Sequence, residues 1–196
     1  MAIEFAEVAP TIRLAYERLG DPSAPPVMLM MGIGAQLIAW PDGFCDALVA
    51  RGPQLVRFDN RDAGLSTHLT TAPVPNLPAA LAGDHSSASY TLSDMARDVV
   101  GLCDALGFAR VHLVGASMGG FIAQTIAIEH PQRVRSLTSI MATTGDPKVG
   151  QAHPDVLREF AKGGAATTRE AVIARNVEIV RIVGSPEYPA DEQAIA

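Results

Sequence analysis

The chain is 196 residues long, and 15 lysines and arginines against 21 aspartates and glutamates give it a formal charge of −6. With 48% hydrophobic and 18% charged residues it is apolar enough for a globular core and too apolar for a disordered chain. The acidic balance without a basic cluster excludes an electrostatic nucleic-acid binder, and two cysteines, Cys45 and Cys103, make neither a disulfide framework nor a metal cluster. Met1-Ala2-Ile3-Glu4-Phe5 lacks the basic-then-apolar pattern of a signal peptide. The apolar stretch from Pro26 to Trp40, about 15 residues interrupted by Gln36 and two glycines, is too short to cross a bilayer. These features are those of a cytoplasmic, reduced protein with no membrane or nucleic-acid partner.

Residues 3–8 and 11–18 are short, partly alternating runs on either side of Ala9-Pro10, which predicts an antiparallel hairpin closed by Gly20-Asp21-Pro22. Pro26 to Met31 is a continuous apolar run, as expected of a strand buried on both faces of a parallel sheet. Residues 44–51 predict a helix stopped by Gly52-Pro53, and Leu55 to Phe58 a second inner strand running into the turn-rich Asp59-Asn60-Arg61-Asp62-Ala63-Gly64. Residues 67–90, with Pro73, Pro75, Pro78 and Gly83, read as one long loop. Thr91 and Asp94 form a capping pair for a helix carrying Leu92, Met95, Val99, Leu102 and Leu106, ended by Gly107. Val111 to Val114 is a third inner strand, and Met118 to Glu129 a helix apolar nearly all round and therefore expected to be buried. Val134 to Met141 is a fourth inner strand. This alternation of strands and helices is the mark of parallel crossovers. From Thr143 onward the pattern turns helical, with helices at 155–161 and 168–183 separated at Gly163-Gly164.

Gly115-Ala116-Ser117-Met118-Gly119 fits G-x-S-x-G between a predicted apolar strand and a predicted apolar helix, the context this motif requires. The sharp turn exposes the Ser117 hydroxyl, and the flanking glycines let strand and helix approach. The alternative is a serine N-cap on an ordinary buried helix. An acyl-transfer site also needs two N–H donors for the oxyanion. The amide of Met118 is one candidate, and Ile33, in Met31-Gly32-Ile33-Gly34 after the first inner strand, is the other.

These segments resemble the α/β-hydrolase superfamily, within the esterase branch that includes the anthracycline methylesterases. The likeness rests on Met31-Gly32-Ile33-Gly34 with Trp40-Pro41, on Arg57 to Ser66, on Leu92 to Asp98 and on Val114 to Gly120, and covers roughly residues 11–145. Family members commonly carry His-Gly where this chain has Met31-Gly32. The resemblance implies an α/β-hydrolase fold, a mostly parallel sheet with helices on both faces and an N-terminal antiparallel hairpin. It implies Ser117 as nucleophile and the Ile33 and Met118 amides as oxyanion hole. It also divides the chain into an N-terminal part of the core, 1–146, and the start of an incomplete helical cap, 147–196.

A serine needs a histidine base and an orienting acid, which in this fold follow it in the order Ser, Asp or Glu, His. The strands that carry them in the family are absent from the pattern. His68 and His85 read as loop residues, His112 as a packed strand residue, His130 as a helix C-terminal residue and His153 as an opening residue of the cap. Asp146 is a candidate acid, with a plain turn residue in Gly145-Asp146-Pro147 as its alternative. Residues 189–196 open a helix at Asp191 that stops after about one turn, too short to be stable alone. The expectation is therefore an N-terminal part of a hydrolase whose last strands, acid and histidine come from a C-terminal fragment or separate segment. The substrate would be a small-molecule ester, with no cofactor and no metal. Two other readings remain open: a catalytically dead hydrolase-fold binding protein, and a dinucleotide-binding oxidoreductase. The second rests on Gly32-Ile33-Gly34-Ala35-Gln36-Leu37 with Asp59 about 25 residues on, although Leu37 replaces the third glycine.

Overall fold

A computed structural model describes residues 2–146, 148–150, 153–161, 168–185, 187, 188 and 191–195. It divides into two compact units, 1–144 and 145–196.

The first unit is built on one six-stranded sheet. Strands β1 (Glu4–Ala9) and β2 (Ile12–Leu19) form the expected hairpin, and β2 pairs antiparallel with β4 (Gln54–Phe58). From β4 the sheet is parallel, through β3 (Pro26–Met30) and β5 (Val111–Ala116) to β6 (Val134–Ile140), in the order β1-β2-β4-β3-β5-β6. Helix α1 (Asp42–Val49) packs on one face. Helices α3 (Leu92–Ala105) and α4 (Met118–Glu129) pack on the other, and a short α2 (Leu77–Leu81) lies between β4 and α3 in the chain.

Alternation in the strands sorts the core into two layers. Met28, Met30, Val56, Phe58 and Leu113 face Val99, Leu102, Ile122 and Ile126 of α3 and α4. Leu29, Leu55 and Ala116 point the other way, toward Cys45 and Leu48 of α1 and toward Trp40. Each of these large side chains contributes roughly 1.5–3 kcal/mol on burial. Thr91 caps α3 as its sequence predicts: its hydroxyl accepts the Asp94 N–H, and the Asp94 carboxylate accepts the Thr91 N–H at 2.8 Å. Gly107, at φ 74°, follows the helix end.

Four expectations change. The stretch 67–90 contains α2, because Asn76 accepts the Ala79 N–H and Pro78, in the first turn, needs no hydrogen-bond acceptor there. Helix α1 starts at Asp42, two residues before Phe44, the N–H of Cys45 already bonding to Pro41. Helix α4 buries Ile122, Ala123 and Ile126 but leaves Ile128 78% exposed, since only one of its faces meets the sheet. The strand expected as a fourth inner one is an edge: among the described residues β6 bonds only to β5, and Arg135 to Ser139 are exposed.

The second unit contains α5 (Pro154–Ala161), α6 (Arg169–Val183) and α7 (Glu192–Ile195), with no strand among its described residues. Thr168 caps α6 through the Ala171 N–H at 3.2 Å, and Arg181 bonds Glu192 of α7 at 2.6 and 2.8 Å. Val172 is 42% exposed. The Gly163-Gly164 break and Pro147, Pro189 and Ala190 lie outside the described residues.

Candidate active site

Strand β5 ends at Ala116 and α4 begins at Met118, so one residue makes the whole turn. That residue, Ser117, takes φ 54° and ψ −121°, a backbone that L side chains rarely adopt and that costs of order 1–3 kcal/mol. The surroundings hold it there. Its N–H donates to the Ile140 carbonyl at 2.9 Å, and its carbonyl accepts the Gly120 N–H at 2.8 Å. A Cβ on Gly115 would overlap the Gly119 carbonyl, and one on Gly119 would overlap the Met30 carbonyl. Both glycines are thus required by the contact of β5 and β3 with the first turn of α4.

The Ser117 hydroxyl does not cap α4. The simple N-cap reading therefore fails, and the hydroxyl has no hydrogen-bond partner among the described residues. Gly32 lies against it: a Cβ there would stand 3.0 Å from Ser117 Cβ and 3.4 Å from Oγ. The next residue is Ile33, on a loop whose side chain is 71% exposed. The Ile33 and Met118 N–H groups donate to nothing among the described residues. Both follow residues in contact with, or identical to, the turn at Ser117. The arrangement offers a free hydroxyl and two free N–H donors from adjacent strand ends, with the N-terminus of α4 adding a favourable field for negative charge.

The Ile33 loop is anchored by a buried carboxylate. Asp59, 2% exposed, accepts the Leu37 N–H at 2.6 Å on one oxygen and the Leu65 N–H at 2.8 Å on the other. Its backbone carbonyl accepts the Ser66 hydroxyl at 2.6 Å, and that hydroxyl takes the Ala15 N–H. Asn60 donates its side-chain N–H to the Met31 carbonyl at 3.1 Å, beside Gly32. The dinucleotide reading required Asp59 to face a ribose, but here both of its oxygens serve the loops. Arg61 bonds both oxygens of Asp98 on α3, at 2.6 and 2.7 Å, and this pairing pushes its pKa up. Asp62, at φ 61°, accepts the Leu69 N–H.

A second buried network was not anticipated. Arg57 of β4 pairs with Glu17 of β2 at 2.7 Å and donates to the Trp40 carbonyl, also at 2.7 Å. It thereby ties the sheet to the segment that leads from the Ile33 loop into α1.

No described histidine bonds to Ser117. His68 lies 3.0 Å from the Gly64 carbonyl, and His112, half-exposed where a packed residue was expected, bonds Ser136 of the edge strand. His130 keeps a buried Nε2 with no partner among the described residues, and His153 pairs with Asp155 within the second unit. Asp146 belongs to the second unit, where its carboxylate accepts the Lys148 N–H at 2.8 Å, as a turn aspartate does.

Comparison with known proteins places this geometry in context. Residues 25–187 match the model of the α/β-hydrolase fold family. The rhodomycin D methylesterase DnrP of Streptomyces peucetius is 28% identical over 200 residues, covering 92% of this chain. This chain spans 62% of that relative's length. A hydrolase from Pseudomonas aeruginosa matches 99% of the chain and 69% of its own, with TM-score 0.65 and 23% identity. An enol-lactonase from Burkholderia xenovorans matches 87% of the chain and 57% of its own, with TM-score 0.59 and 24% identity. At those identities the two structures speak for the fold. No helix of the described residues is long and apolar enough to cross a membrane.

Proposed function

The chain belongs to the α/β-hydrolase fold family, and on that premise we propose that it is the nucleophile-bearing part of a serine hydrolase acting on carboxylic esters. Ser117 attacks the ester carbonyl, and the oxyanion is held by the N–H groups of Ile33 and Met118. The alcohol leaves, and water releases the acid from the acyl-serine. The observation that carries this reading is the Ser117 turn, a strained backbone presenting an unbonded hydroxyl. Similarity to a rhodomycin D methylesterase favours an ester over other acyl compounds. The histidine that takes and returns the serine proton, and its acid, come from a C-terminal segment outside these residues. The exposed edge of β6 supports such a segment, since an unpaired parallel strand end invites another.

A fluorophosphonate probe should attach to Ser117 in the full-length protein, as read by peptide mass, and Ser117→Ala should remove both the adduct and ester turnover. An adduct elsewhere, or turnover that survives the substitution, would sink the serine assignment. A second reading is a binding protein on a hydrolase scaffold. Ester turnover lost on Ser117→Ala excludes it.

A further inference from the structure

Ser117 and Met141 leave the sheet side by side. Ala116 and Ile140 are register partners in the parallel β5–β6 ladder, and the Ile140 carbonyl accepts the Ser117 N–H at 2.9 Å. Met141 is the next residue along β6, as Ser117 is along β5. Both depart with left-handed φ, 54° for Ser117 and 45° for Met141. Asn, Asp and Gly are the residues that take this backbone at low cost, and an unbranched apolar side chain with φ near 45° is uncommon. Met141 is nevertheless 74% exposed, so core packing does not explain it.

Met141 is not an isolated surface methionine. Ile33 is 71% exposed, and Ile38 of the same loop 68%. Leu65 is 59% exposed on the loop after β4. These segments follow the carboxyl ends of neighbouring parallel strands, and the Asp59 carboxylate clamps the Ile33 loop to the Leu65 loop through Leu37 and Leu65. The strand ends around Ser117 thus carry large apolar side chains, with no Lys, Arg, Asp or Glu at these four positions. In open α/β sheets the crevice beyond the carboxyl ends of the strands is where ligands sit.

Building on the serine-ester reading, we infer that Met141 is a specificity-determining residue. Together with Leu65 and the Ile33 loop it forms the wall that receives the acyl group of the substrate. The substrate class is an ester whose acyl part is apolar and larger than acetyl. While that acyl group is bonded to Ser117 Oγ it must lie against residues adjacent to Ser117, and Met141 is the neighbour across the ladder. Methionine suits the place, because its unbranched, polarisable thioether adapts to irregular apolar shapes.

Hydrolysis of p-nitrophenyl acetate and octanoate by the full-length protein tests this. Met141→Asn keeps a residue tolerant of the backbone and removes the apolar surface. The octanoate-to-acetate ratio of kcat/KM should fall about tenfold or more. A ratio that does not move overturns the proposal. A second measurement does not depend on chemistry: with ¹³C-methyl-labelled methionine, octanoate should shift the Met141 methyl resonance, assigned by Met141→Leu, and acetate should not. A Met141 signal indifferent to octanoate also overturns it. Failure of the serine reading looks different, as turnover unaffected by Ser117→Ala.

Discussion

The Asp59 carboxylate fills the space that a side chain at Gly64 would need. With φ 54° at Gly64, a Cβ there would fall inside the Asp59 carboxylate. Gly64→Ala must therefore strain the backbone and also expel the carboxylate from the Leu37 and Leu65 N–H groups. The expected loss is about 2–4 kcal/mol, from backbone strain plus unsatisfied buried groups. Urea unfolding of the variant measures it. Asp59→Asn, which keeps the shape but gives up the charge, should lose less, about 1–2 kcal/mol.

The strain at Ser117 gives a prediction of opposite sign for stability and activity. Ser117→Gly should remove ester turnover and raise unfolding stability by about 1 kcal/mol, the relief of strain outweighing the greater chain entropy of glycine. Ser117→Ala should lower kcat by about 10⁴-fold or more and leave stability nearly unchanged. A Ser117→Gly variant less stable than Ser117→Ala would contradict the strain account.

Arg57 and Glu17 are both nearly buried, at 5% and 7% exposure. Removing Arg57 leaves the Glu17 carboxylate buried without its cation, whereas removing Glu17 leaves Arg57 still paired with Asp42 at 2.8 Å. Arg57→Leu should cost about 3–5 kcal/mol, while Arg57→Leu combined with Glu17→Leu should recover much of that loss. Denaturation midpoints of the two single variants and the double variant form the cycle that checks this.

Burial pushes the Cys103 thiol from its ordinary 9.0 up to about 12. The unfolded chain releases this proton near 9 and the folded chain only near 12. Stability from this group is thus complete below pH 9 and falls as pH rises between those values, by at most about 1.4 kcal/mol per pH unit. Cys103→Ala should flatten the alkaline limb of a stability–pH curve relative to the unaltered protein. Parallel limbs would show that Cys103 has no part in it.

The strands and long helices were legible because their signals are local: continuous apolar runs, a capping pair at Thr91 and Asp94, a glycine stop at Gly107. The turn at Ser117 was legible for the same reason. Long-range polar pairs were not. Glu17 and Arg57 sit in strands as charged residues that periodicity assigns to solvent, and only the pairing of β2 with β4 brings them together. Asp59 could be placed in the loop but not its two acceptor roles, which depend on where Leu37 and Leu65 arrive. Helix α2 was hidden by Pro78, read as a breaker although proline also starts helices.

Trp40 is the chain's one tryptophan, packed in the same cluster as Ala116, with Met31 and Ile140 against it. Its indole N–H is buried without a partner among the described residues. These 196 residues therefore carry a single indole, in the cluster that holds the residues preceding Ser117, Gly32 and Met141. Its emission is an optical reading of that cluster, and needs no added label to follow a ligand settling on the strand ends nearby.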